Sequence, residues 1–138
     1  MAGALIARGP VFATALTALA FTAGCDDDDK NGSSNAPAPT NPQAELRAVR
    51  AMLGRAGEEY RAGHGAQAER TIGDAYLDHF EDVEGPLDKR DHALKETLEE
   101  SISTTIRERM KAGAPVDEIQ RLMGRTQRQL VQAEAALR

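Results

Sequence analysis

The chain reads as an all-α protein: an antiparallel up-down-up-down four-helix bundle preceded by a signal peptide and a disordered tether. Three observations predict this. From Ala44 to Arg138, apolar residues recur three and four apart in four successive segments. No segment sustains the every-second-residue alternation of a half-buried strand. The breaks are short, at Gly63-His64-Gly65, Gly85-Pro86 and Ala112-Gly113-Ala114, and short connections place successive helices side by side and antiparallel.

The leader comes first. Met1–Gly9 carries one positive charge, Arg8, and no acid, and Val11 to Thr22 reads VFATALTALAFT. A basic start, an apolar core and small residues at the exit predict a secretory signal over residues 1–24. About 20 apolar residues are needed to span a bilayer as a helix, so this core is short for a permanent anchor. Thr22-Ala23-Gly24-Cys25 resembles the lipobox of bacterial lipoproteins, although leucine is usual where Thr22 stands. That resemblance implies an acylated Cys25, with fatty chains such as palmitate, as the mature amino terminus. Cys25 is the chain's one cysteine, so no internal disulfide competes for it. Residues 25–43 then form the tether. Asp, Lys, Asn, Gly, Ser, Ala, Pro and Thr dominate it, and a stretch without large apolar side chains cannot offset the entropy of ordering.

The remaining residues, 44–138, are enough for one modest core. With no tryptophan and three other aromatics in this region, Tyr60, Tyr76 and Phe80, that core falls to leucine, isoleucine, valine and alanine. Helix one is expected from Ala44 to Ala62, with Leu46, Val49, Leu53, Ala56 and Tyr60 inward. Helix two is expected from Ala66 to Glu84, with Ile72, Tyr76, Phe80 and Val83 on one face. Helix three begins near Asp91, and its stripe of Leu94, Leu98, Ile102, Ile106 and Met110 drifts. Gly113 closes it, and Pro115 starts helix four, whose stripe is Val116, Ile119, Met123, Thr126, Leu130, Ala133 and Leu137.

One stretch offers chemistry. Between Thr71 and Asp88 there is no lysine or arginine but there are six acids: Asp74, Asp78, Glu81, Asp82, Glu84 and Asp88. Hard cations take oxygen ligands, and carboxylates three or four apart on a helix can converge on one. His79 adds a nitrogen donor. At about 100° per residue, however, Asp74, Asp78, Glu81 and Asp88 point away from the Ile72–Phe80 face, as a solvated stripe would. Glu84 lies at the edge of that face, and Glu99 has a similar place on helix three. A carboxylate beside a core needs a donor, a cation or a metal, and Arg107 and Arg109 are candidate partners for Glu84.

Ala75–Leu87, AYLDHFEDVEGPL, followed by Leu98–Pro115, LEESISTTIRERMKAGAP, resembles the periplasmic helical domain of bacterial high-affinity iron permeases. The matching positions are Tyr76, Leu77, Asp78, Phe80, Glu81 and Glu84, then Ile106, Arg107 and Gly113. The permease proper also carries transmembrane helices with an Arg-Glu-Gly-Leu-Glu type motif, which this sequence lacks. The resemblance implies an extracytoplasmic domain alone, held to the membrane by lipid, handling iron ions beside an iron permease through Asp78, Glu81, Glu84 and Glu99. The alternative is a structural or protein-interaction lipoprotein with no metal function.

Other classes find no support. No Glu-x-x-His pair precedes His64, His79 or His92, so a ferritin-type oxidase is not expected. Zinc-site spacings, nucleophile elbows and phosphate loops are missing, so no enzyme activity is expected. Lys plus Arg number 17 against 22 acids, a net charge of −5, which disfavours nucleic acid as a partner. Arg121, Arg125 and Arg128 nevertheless give helix four a basic face.

Overall fold

A computed structural model describes residues 40–138. The expected signal peptide, the Cys25 acylation site and the tether up to residue 39 lie outside the described residues. Among the described residues there are four helices and no strand.

Helix α1 is Pro42–Arg61. It starts two residues earlier than Ala44, for a local reason: the Asn41 side chain accepts from the backbone N–H of Gln43 and Ala44, at 3.1 and 3.4 Å. Proline at the first helical position has no N–H to satisfy, so Asn41-Pro42 forms a helix start. All five expected inward residues, Leu46, Val49, Leu53, Ala56 and Tyr60, are buried. Past Ala62, Gly63 turns the chain with φ 85°, a conformation that costs glycine little.

Helix α2 covers residues 65–88 and is not uniform. Gly65–Ala75 is α-helical, Tyr76–Phe80 is π-helical, and Glu81–Asp88 is α-helical again. It runs four residues beyond the expected end at Glu84, through Gly85-Pro86. Pro86 removes the bond to the Asp82 carbonyl, but Asp82 and Gly85 are exposed and water can replace it. Val83 and Leu87, both fully buried, hold this last turn on the core.

Helix α3 covers residues 92–111, capped by Asp91, whose carboxylate accepts from the Leu94 N–H at 3.0 Å. It too changes pitch, with π-helical turns at Glu100–Thr105 between His92–Glu99 and Ile106–Lys111. Leu98, Ile102, Ile106 and Met110 stand four apart and are all buried. In an α-helix each four-residue step rotates a side chain by about 40°, and the wider π turn takes that rotation back. Gly113, at φ 69°, ends the segment. Pro115 is the residue before helix α4, Val116–Ala136, rather than its first turn.

Burial of twenty apolar residues between Leu46 and Ala133 builds one continuous core, with Phe80 its largest fully enclosed side chain. Helix α1 packs on α2 and α4, and α3 packs on α2 and α4. Polar pairs tie the seams. Gln43 reaches the Leu137 carbonyl, Arg50 holds Glu134 at 3.0 Å, and Gln120 donates to the Gly57 carbonyl. Gly57 permits that close approach, because a Cβ there would stand 3.2 Å from Met123 Sδ. At the opposite pole Tyr60 Oη donates to the Ala114 carbonyl at 2.6 Å, joining the two glycine turns.

Candidate cation site on the second and third helices

The π turn of α2 begins at Tyr76, and its wider winding sets where the acidic side chains that follow it point. Tyr76 is half-buried and stacks on Phe80, with ring centroids 6.0 Å apart. Its hydroxyl donates to Glu84 Oε1 at 3.0 Å. Burial, that hydrogen bond, and the charges of Glu84, Glu99 and Glu81 push its pKa up to about 12. Three of the four expected site residues therefore act on one phenol, two from α2 and one from α3.

Glu99 is engaged on its other side. Lys95, one turn earlier on α3, holds Glu99 Oε2 at 3.0 Å and Glu96 Oε1 at 2.6 Å. Hydrogen bonds to Glu96 and Glu99 outweigh desolvation and raise the lysine pKa further above its usual range. Glu84, Gly85, Asp88 and Lys95 line an open hollow of about 300 Å³ between the two helices. The edge is therefore a shallow cleft walled by carboxylates, with a resident ammonium.

The remaining expectations divide. Asp78 and Glu81 are exposed, as are Asp74 and Asp88. Asp78 makes no side-chain hydrogen bond or ion pair to the described residues. His79 does not join the acids: its Nδ1 sits 2.7 Å from Glu45 Oε2, fastening the π turn to the start of α1. Glu84 does not pair with either arginine. Arg107 holds Glu69 through Nε and Nη2 at 2.7 and 2.6 Å, and Arg109 holds Glu118. Glu84 lies level with Lys95, about three helical turns along α3 from Arg107, which lies level with Glu69 and Gly73.

Two participants carry little sequence signal of their place here. Tyr76 belongs by spacing to the core stripe, yet its hydroxyl bonds Glu84 and lies in the field of Glu99 and Glu81. Lys95 shows only the i,i+4 spacing to Glu99 of a helical ion pair.

The donor set is chemically suited to a hard cation, being carboxylate and phenol oxygen. It is not preassembled: among the described residues, no three histidine, cysteine, aspartate or glutamate side chains gather closely enough to hold an ion. Binding here requires Lys95 to release Glu99 and Glu81 to turn inward. No family model, curated protein or solved structure matches the chain.

Proposed function

We propose that the protein is a membrane-tethered extracytoplasmic helical lipoprotein that takes up iron ions transiently and passes them to an adjacent permease. The scaffold in this reading is an up-down-up-down bundle. Its support is the opposed residue order along the seams: Gln43 with Leu137, Arg50 with Glu134, and Gly57 with Gln120 on α1 and α4. The export and acylation parts rest on the leader and on Thr22-Ala23-Gly24-Cys25.

One observation carries the iron part. The Tyr76 hydroxyl sits on Glu84 within the field of Glu81 and Glu99, so oxygen donors from two helices share one edge of the fold. A site that needs a lysine to move suits handover better than storage, because the ammonium returns when the cargo leaves. Asp78, exposed on the same helix, supplies attraction from outside the cleft.

A second reading is a scaffold that binds a protein partner and no ion. Leu77 favours it, standing 61% exposed within the acidic stretch, as an apolar knob ringed by carboxylates.

Ferric and ferrous titrations of the purified protein under chelator control separate the two. The first reading expects ferric binding with a visible tyrosinate charge-transfer band, lost in Tyr76→Phe and weakened in Glu84→Gln. Flat calorimetry and an unmoved melting temperature leave the scaffold.

A further inference from the structure

The outer face of α4 carries a charge pattern that the acidic cleft does not use. Arg121, Arg125 and Arg128 follow at i, i+4 and i+7, all three exposed. Between Ile119 and Ala133 the helix has no acid. Ten ion pairs form among the described residues, and none includes these three arginines. Gly124 and the exposed Val131 lie on the same face, and the Arg128 guanidinium folds back over Gly124. The face is therefore a shallow cationic strip, with Asp117 one turn before Arg121 and an apolar patch at the other end.

Its position matters as much as its charge. Helix α4 packs on α1 and α3 but shares no substantial seam with α2. The two helices sit diagonally, so their outer faces look in opposite directions. One presents Arg121, Arg125 and Arg128; the other presents Asp74, Asp78, Glu81 and Asp82, with Arg70 at its start, so the two outer faces differ in the sign of their charge.

We propose that the Arg121–Arg125–Arg128 face of α4 docks on an anionic phospholipid surface, with the acidic face of α2 turned away from it. Charge complementarity selects the occupant. Phosphate headgroups attract the arginines and repel the carboxylates, so both faces enforce one orientation. Arginine stems can lie along Val131 and the bared backbone at Gly124 while the guanidinium groups meet phosphate.

Residues 26–39 span at most about 50 Å between the anchor proposed at Cys25 and the described residues. Helix α1 begins beside Leu137, and Arg128 lies nine residues back along α4, about 14 Å from that end. A surface that already holds the chain needs only weak contacts to orient it. This proximity argument rests on the lipid anchor proposed above; the charge argument does not.

The test uses residues 26–138, which contain the whole buried core and lack the acylation site. Co-sedimentation is measured with vesicles of phosphatidylglycerol and phosphatidylcholine at 3:7, and of phosphatidylcholine alone, without added metal. Binding is expected on the anionic vesicles alone and is expected to fade with added salt. Each arginine contributes about five-fold to partitioning, so Arg121→Gln with Arg125→Gln and Arg128→Gln lowers it by about 100-fold. Asp74→Asn with Asp78→Asn leaves it unchanged or strengthens it. Equal partitioning on both vesicle types, or full binding by the triple variant, overturns the proposal. So does a dimer that the triple variant dissolves, which assigns the face to a second copy. Because no iron is present, failure here leaves the cation reading untouched.

Discussion

Arg107 and Glu69 lock α3 to α2: Nε and Nη2 of the arginine stand 2.7 and 2.6 Å from the same carboxylate oxygen. The guanidinium lies flat against Gly73, where a Cβ would be 3.4 Å from Cζ, and Lys111 adds a third contact at 3.3 Å. Replacing Arg107 with alanine leaves a half-buried carboxylate with Lys111 alone and is expected to cost about 2 kcal/mol. Urea unfolding of the variant measures it, and Glu69→Ala together with Arg107→Ala should cost less than the sum of the single changes.

The same pair sets an acid limit. Burial raises the Glu69 pKa, but hydrogen bonds and charge from Arg107 and Lys111 outweigh it, so the folded value lies below the usual 4.5. Glu59 behaves alike, with burial offset by bonds from Thr71, Arg55 and Gln67. A lowered folded pKa gives stability that is complete above the unfolded value and is lost as pH falls through the folded one. Melting temperature is therefore expected to fall steeply below about pH 4.5. Glu69→Gln should flatten that part of the profile.

At neutral pH the sign reverses at the α2–α3 turn. The Asp88 hydrogen bond and charge raise the His92 pKa, with Nδ1 2.6 Å from the carboxylate. A raised value contributes fully below the unfolded pKa of 6.5 and is lost as pH rises through the folded one. An NMR titration is expected to place the His92 midpoint above 6.5, and Asp88→Asn should bring it back.

Helical glycines separate by what lies beside them. Gly54 faces open space, so Gly54→Ala is expected to stabilise α1 by about 1 kcal/mol in thermal unfolding. At Gly57 a Cβ would meet Met123 Sδ at 3.2 Å, and the displaced side chain should cancel that gain. A larger effect is expected at Phe80→Ala, which empties the biggest enclosed position and should cost about 3–5 kcal/mol.

The Tyr76 phenol tests the cleft without any metal. Removing the Glu84 charge with Glu84→Gln is expected to lower the Tyr76 pKa from about 12. Ultraviolet titration follows this directly. A midpoint that stays in place would mean that burial and the charges of Glu99 and Glu81 set it.

Much of the fold was legible because period and punctuation agree. The α1 stripe of Leu46, Val49, Leu53, Ala56 and Tyr60 needed only spacing to read, and Gly63 and Gly113 marked both distal turns. Legibility failed at the pitch changes. Gly85-Pro86 resembles a stop signal locally, yet buried Val83 and Leu87 carry the helix past it. The drift of the α3 stripe was visible as four-residue spacing, but its remedy, a π turn, requires knowing that Leu98, Ile102 and Ile106 face one core. In the candidate site, a place at the edge of the apolar stripes singles out Glu84 and Glu99, and the acidic run singles out Glu81. Sequence could not show that Arg107 belongs to Glu69, because that pairing depends on how α2 and α3 slide past each other.

Winding at Glu100–Thr105 amounts to a spare residue stored in a helix. Deleting Thr104 would set Ile106 three positions after Ile102, the ordinary α-helical interval, and every inward side chain beyond could keep its seat. An equal deletion within α1, between Val49 and Leu53, would swing half of its apolar stripe into water. The chain can therefore be shortened at one place and not at the other.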